Sequence, residues 1–185
     1  MRDLKDYSGP FIPDLKRSDF SKEALVRAWE ATSRCFVMID GLWYTLIKEK
    51  YDEATAGKLD REIWEKMTWR EIPAIQEALN IHGNDVEALF KVYQTIPDSV
   101  GVLEMKFELF NKNHGIYTIT NCRALKHFEK HGKKELQETA CGIDIWAFAD
   151  TAKHFNPKMK CTNLKLPPRK DPSEPACAWE FKIED

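Results

Sequence analysis

The spacing of apolar residues changes once along this 185-residue chain, and that change constrains the fold more than any other feature. Through the first half, apolar side chains recur every three or four residues. Leu25, Ala28, Trp29, Thr32, Phe36, Ile39, Trp43, Leu46 and Ile47 form one such series. With Ser21 as N-cap and Glu23 in the first turn, they predict a helix running to about Lys50. Around Cys35–Ile39 this segment is apolar on every side, which predicts a central, buried helix. Further helices are expected over residues 53–67, 69–81 and 84–95. Pro73 would stand in the first turn of the middle one, with Gly83 and Pro97 as stops. Past residue 100 the period drops to two. In VLEMKFELF, Leu103, Met105, Phe107 and Leu109 alternate with Glu104, Lys106 and Glu108, the pattern of a half-buried strand. NKNHG supplies turn residues, and IYTIT returns as the second strand of a hairpin.

The remainder alternates between the two periods. NCRALKHFEKHG and CGIDIWAFADTAKHF read as helices. MKCTNLKL reads as a strand whose apolar phase slips at Thr162–Asn163, as a bulge would cause. PPRKDPSEP is a proline-rich loop and CAWEFKI a closing strand. Helices first, then a hairpin, two helices and two strands, argue for an α+β fold. The N-terminal helical part would pack on a small antiparallel sheet of about four strands, with the helices on one face. A single domain, residues 1–185, is expected, with residues 1–20 an arm docked through Phe11, Ile12 and Phe20.

Composition removes several function classes. The 30 acidic and 28 basic residues are interspersed, with no basic stripe of the kind a nucleic-acid partner requires. The longest apolar stretch, CFVMIDGLWYTLI, carries Asp40 and falls short of the roughly 20 residues of a membrane span. The charged, proline-broken N-terminus has no apolar signal region, and the five cysteines are odd in number and widely spaced. A cytoplasmic protein with reduced thiols is the expectation. No glycine-rich phosphate loop, Gly-x-Ser-x-Gly elbow or His-Glu-x2-His occurs.

Three groups of residues could carry chemistry. His127 and His131 would share a helix face and could hold one metal ion, zinc or iron, with thiols from Cys122, Cys141 and Cys177. Strand alternation puts Cys177 on the side of Trp179, Phe181 and Ile183, and Cys161 on the side of Met159, so both thiols point inward. Ordinary packing of free cysteines in a core accounts for that equally well. Asp40 interrupts the most apolar part of the first helix and is followed by Gly41. A carboxyl there needs a partner or a raised pKa, which would suit a general acid or base; pairing with Arg34 or Arg61 is the alternative. Arg169, on a stiff loop after Pro167 and Pro168, could hold a ligand carboxylate or phosphate. Trp43 is the second ligand-binding candidate.

IDGLWYTLIKEKY, LDREIWEKM, LPPRK and CAWEFKI together resemble an uncharacterised prokaryotic family of small cytosolic proteins, from about residue 30 to residue 183. The residues that carry the likeness are Asp40, Gly41, Leu42, Trp43, Asp60, Trp64, Cys122, Cys141, Pro167, Pro168, Arg169, Cys177 and Trp179. No activity comes with it. More distantly the chain is similar to the L-2-amino-thiazoline-4-carboxylic acid hydrolase family, through Cys141, Asp144 and Cys177. A weaker echo is with vinyl-reductase-type small-molecule domains, although prolines and charges stand here where glycines separate their cysteines. The expectation from residues and resemblance together is a thiol-lined pocket, between helices and sheet, for a small molecule or a metal. The first reaction to consider is hydrolysis of a C–N bond in a small ring or amide, with Asp40 as acid–base. The nucleophile would be a metal-bound water or, without metal, the Cys141 thiolate. A sensor module without turnover, or a homodimeric interaction protein with packed cysteines, are the alternatives.

Overall fold

The computed structural model describes residues 2–132 and 134–184, with side chains placed at all of these except 135, 136 and 138–140. Met1 and Asp185, the ends of the expected single domain, lie outside the described residues. Helix α1, Lys22–Lys50, starts where expected, its Ser21 hydroxyl accepting the Ala24 N–H at 3.2 Å. Helix α2, Glu53–Leu79, starts at Asp52, whose carboxylate accepts the Thr55 N–H at 2.7 Å, and packs back along α1. A break between two helices was expected before Pro73, yet α2 runs straight through it. Pro73 lies on the exposed side of α2, so solvent can take the place of the N–H that the Trp69 carbonyl loses. The stop is Asn80 in the left-handed conformation (φ 54°, ψ 42°), rather than Gly83.

Helix α3, Val86–Tyr93, is a core helix: Val86, Leu89, Phe90, Val92 and Tyr93 are all buried. Strands β1, Leu103–Asn111, and β2, His114–Cys122, form the expected hairpin. Helices α4, Arg123–Lys130, and α5, Lys134–Phe155, lead on to β3, Met159–Lys165, and β4, Cys177–Ile183. All neighbours are antiparallel in the order β1-β2-β4-β3, so the last strand is inserted between β2 and β3. The bulge in β3 falls between Asn163 and Lys165, next to the predicted slip. The chain is α+β as expected.

One face of the sheet is covered by α3 and α5. There Phe107 and Tyr117 stack at 4.9 Å between ring centres, and Phe148 meets Trp179 at 4.7 Å. Gly115 on β2 lets Phe90 lie flat on the strand; a Cβ there would sit 2.6 Å from a Phe90 ring carbon and 2.7 Å from the Glu108 carbonyl.

Two expectations about the N-terminal half need correction. Phe11 does not dock the arm: it is 81% exposed, and the arm is held to α1 instead by the Ser21 N–H on the Leu4 carbonyl at 2.9 Å and by the Arg27 guanidinium on the Lys5 carbonyl. Helix α1 is not central. It lies on the outside of the α1–α2 hairpin, and Met38, Ile39, Leu42 and Leu46 are each more than half exposed. An all-round apolar helix can serve two surfaces at once, and here one is α2 while another is left open. Among the described residues no helix is long and apolar enough to cross a membrane.

Candidate functional site

Because the hairpin meets α3 and α5 mainly through α2, a gap remains between α1–α2 and the rest of the molecule. It is a cavity of about 1380 Å³. Met38, Leu42, Ile72, Val92, Ile96 and Phe148 are among its apolar wall residues, together with Trp64 and Trp146. Such a space, apolar with a few polar groups, is the usual form of a small-molecule site.

Most of its charged groups are carboxyls. Asp60 and Glu71 come from α2, Asp98 from the loop after α3, and Asp144 from α5. Burial pushes Glu71 up to about 7, with the charge of Asp98 adding to it. Asp144 is likewise raised to about 7 by burial and then by Asp98. Asp98 is raised to about 6 by burial, although backbone N–H groups of Asp98 and Ser99 pull the other way. Oε1 of Glu71 and Oδ1 of Asp98 are buried and have no hydrogen-bond partner. Leaving a buried carboxylate oxygen unpaired costs on the order of 1–3 kcal/mol or more, so these groups are not placed for stability.

Asp40 stands beside this cavity at the α1–α2 interface, and it does not pair with Arg34 or Arg61. Burial pushes its carboxyl up to about 6, and Asp60, within hydrogen-bonding reach, adds to the rise; Trp64 opposes it. Asp60 is also raised by burial, so the two carboxyls form a pair that holds its protons to higher pH than free aspartates.

Three thiols meet at this cavity, of which strand alternation had placed only Cys177 inward. Cys122 at the end of β2, Cys141 on α5 and Cys177 at the start of β4 all line the cavity. They are poor nucleophiles there. Burial pushes Cys141 and Cys177 up to about 12, and Cys122 is also raised despite the N–H groups of Leu125 and Ala124 at the start of α4. Cys161 packs on the aromatic core instead.

The two histidines are exposed on α4 and at its C-cap, with rings 4.4 Å apart. His127 reaches the cavity edge, whereas the Nδ1 of His131 sits 2.8 Å from the His127 carbonyl oxygen. Among the described residues, no group of three or more His, Cys, Asp or Glu side chains is set to hold a metal ion.

Two ligand-binding candidates are placed elsewhere. Arg169 is spent on the protein: it grips both oxygens of Glu129 at 2.8 and 2.6 Å and donates to the carbonyls of Pro172 and Glu174, each at 2.9 Å. With 5% of its side chain exposed, it rivets the proline-rich loop to α4. Trp43 is not among the cavity-lining residues, a position taken by Trp64 and Trp146. The residues that sequence reading missed are Glu71 and Asp98, together with a role for Asp144. Each carboxyl adjoins apolar neighbours, as in REIPAI, TIPDSV and CGIDIW, which is the signal that singled out Asp40.

Against known proteins, the model of the Family of unknown function (DUF6125) matches residues 17–183. No curated protein and no solved structure matches the chain.

Proposed function

The chain belongs to this family of unknown function, and since no reaction comes with that membership, we propose from the site alone that the protein binds a small organic molecule in the cavity between hairpin and sheet. The observation that carries this reading is the convergence of unpaired buried carboxyls on an apolar space of about 1380 Å³. If turnover occurs there, hydrolysis of a C–N bond in a small ring or amide remains the first reaction to assay. The Asp40–Asp60 pair is suited to proton transfer near neutral pH. The Cys141 thiol is not suited to attack, so water is the nucleophile this reading uses. Zinc or iron on the three thiols is the reading that the arrangement favours least, and metal analysis of untagged protein tests it directly.

The test of the pocket uses N-phenyl-1-naphthylamine, an uncharged fluorescent probe of apolar sites. Saturable binding at one site is expected, with affinity falling about tenfold or more in Ala147→Trp, which fills the cavity. Absent or non-saturable binding by folded protein, or binding indifferent to the tryptophan, would overturn the proposal.

A second observation favours a homodimer. Ala28, Thr32, Cys35, Ile39, Leu42 and Leu46 follow one another at alternating four- and three-residue steps on α1, and all six are exposed. That is the seam of a helix pair. Together with Trp29 and Met38 on its flanks it offers on the order of several hundred Å², approaching the roughly 800 Å² per partner of a stable interface. Cys35 and Leu42 also border the cavity, so α1 of a second copy would close its open side. Light scattering should give twice the chain mass of 21.5 kDa, and Ile39→Glu with Leu42→Glu should give the monomer. A monomeric parent protein at micromolar concentration would remove the dimer.

A further inference from the structure

The charge of the cavity says what kind of molecule it takes. This step rests on the cavity being a ligand site. Glu71, Asp98 and Asp144 line the same cavity, and Glu71 and Asp144 each feel the charge of Asp98, although they come from α2, the loop after α3 and α5. Oδ1 of Asp98 and Oε1 of Glu71 are shielded from bulk water and unpartnered. The other charged groups of the wall are Arg34 from α1, Asp60 and Glu65 from α2, and Asp150 from α5, with Asp40 next to Asp60. From α4 come Arg123 and His127. Arg34 lies at the rim, 3.8 Å from Glu30, and does not answer the buried acids. The thiols are uncharged at neutral pH, since burial holds all three above their ordinary value. Acidic groups therefore dominate the interior of the cavity, and aromatic rings of Trp64, Tyr93, Trp146 and Phe148 form much of the wall around them.

Carboxyls set among aromatic faces recognise one chemistry well. A basic nitrogen is drawn both by the carboxylates and by the ring faces, and an apolar body fills the rest. A ligand carboxylate or phosphate would meet the acids with like charge, and Arg169, the expected anion anchor, is already engaged by Glu129. We propose that the ligand is an organic cation, an amine or related base carried on an apolar body, held with its nitrogen among Asp98, Asp144 and Glu71.

Three probes that share one body separate the alternatives: 4-phenylbutylamine, 4-phenylbutanol and 4-phenylbutyrate, each titrated calorimetrically into the full chain at pH 8. The amine should bind about tenfold or more tightly than the alcohol, and the carboxylate most weakly. Asp98→Asn with Asp144→Asn should lower amine affinity about tenfold while moving the alcohol less than about twofold. Lowering the pH from 8 to 5.5 should weaken the amine alone, since protonation removes the carboxylates it needs. If alcohol and amine bind equally, or the double variant weakens both alike, the cation is wrong and the pocket stands. Tightest binding by the carboxylate overturns the proposal in the same way. If none of the three binds to folded protein, the pocket reading fails with it.

Discussion

Replacing Asp144 by asparagine should make this protein more stable, and only above a certain pH. Asp144 is partly buried in the cavity wall, and the loss of solvent there, followed by the charge of Asp98, lifts its pKa from 3.8 to about 7. A carboxyl whose pKa is higher in the folded state binds its proton more tightly there. Its contribution to stability is fully present below about pH 3.8 and is lost as the pH rises through about 7. A rise of roughly three units corresponds to about 4 kcal/mol lost by pH 8. Asparagine has nearly the same shape and no charge, so it escapes that loss, but its amide pairs imperfectly at a cost of about 1 kcal/mol. The net expectation is a gain of about 2–3 kcal/mol at pH 8 that vanishes by about pH 4. Urea unfolding followed by far-ultraviolet circular dichroism at pH 4, 6 and 8 measures it. A destabilised variant at pH 8, or a gain of equal size at all three pH values, would refute the reasoning.

Other substitutions test other parts of the structure. Arg169→Met should cost about 2–4 kcal/mol, because it strands the half-buried Glu129 carboxylate and two loop carbonyls; unchanged urea midpoints would show that the rivet holds nothing. Gly115→Ala should cost about 1–3 kcal/mol, because the added Cβ presses on the Phe90 ring and on the Glu108 carbonyl. A Gly115→Ala protein as stable as the parent would refute the contact. Thiol labelling with a chromogenic disulfide at pH 7.5 should be fast at the exposed Cys35 and slow at Cys141 and Cys177 until the protein unfolds. Rapid labelling of Cys141 in the folded protein would restore it as a nucleophile.

Local patterns in the chain were enough for the class of the fold. A helix places a side chain every 100° and a strand every 180°, so the change of period near residue 100 separates helical hairpin from sheet without tertiary information. The same alternation put Cys177 inside with Trp179 and Phe181, and the structure places it there. Periodicity names the face of an element but not what that face meets. Around Cys35–Ile39 the sequence offers apolar groups on every side, and a core or an open seam satisfies that pattern equally; only packing showed that α1 lies outside. Pro73 likewise looked like a boundary because its backbone cost is local, whereas its tolerance depends on lying on the exposed side of α2. The acidic cavity is the clearest case. Glu71, Asp98 and Asp144 are separated by 27 and 46 residues in the chain, and no spacing rule links them. They share a site because the hairpin, α3 and α5 enclose one space, and because burial there withdraws the water that would otherwise leave each of them an ordinary surface acid.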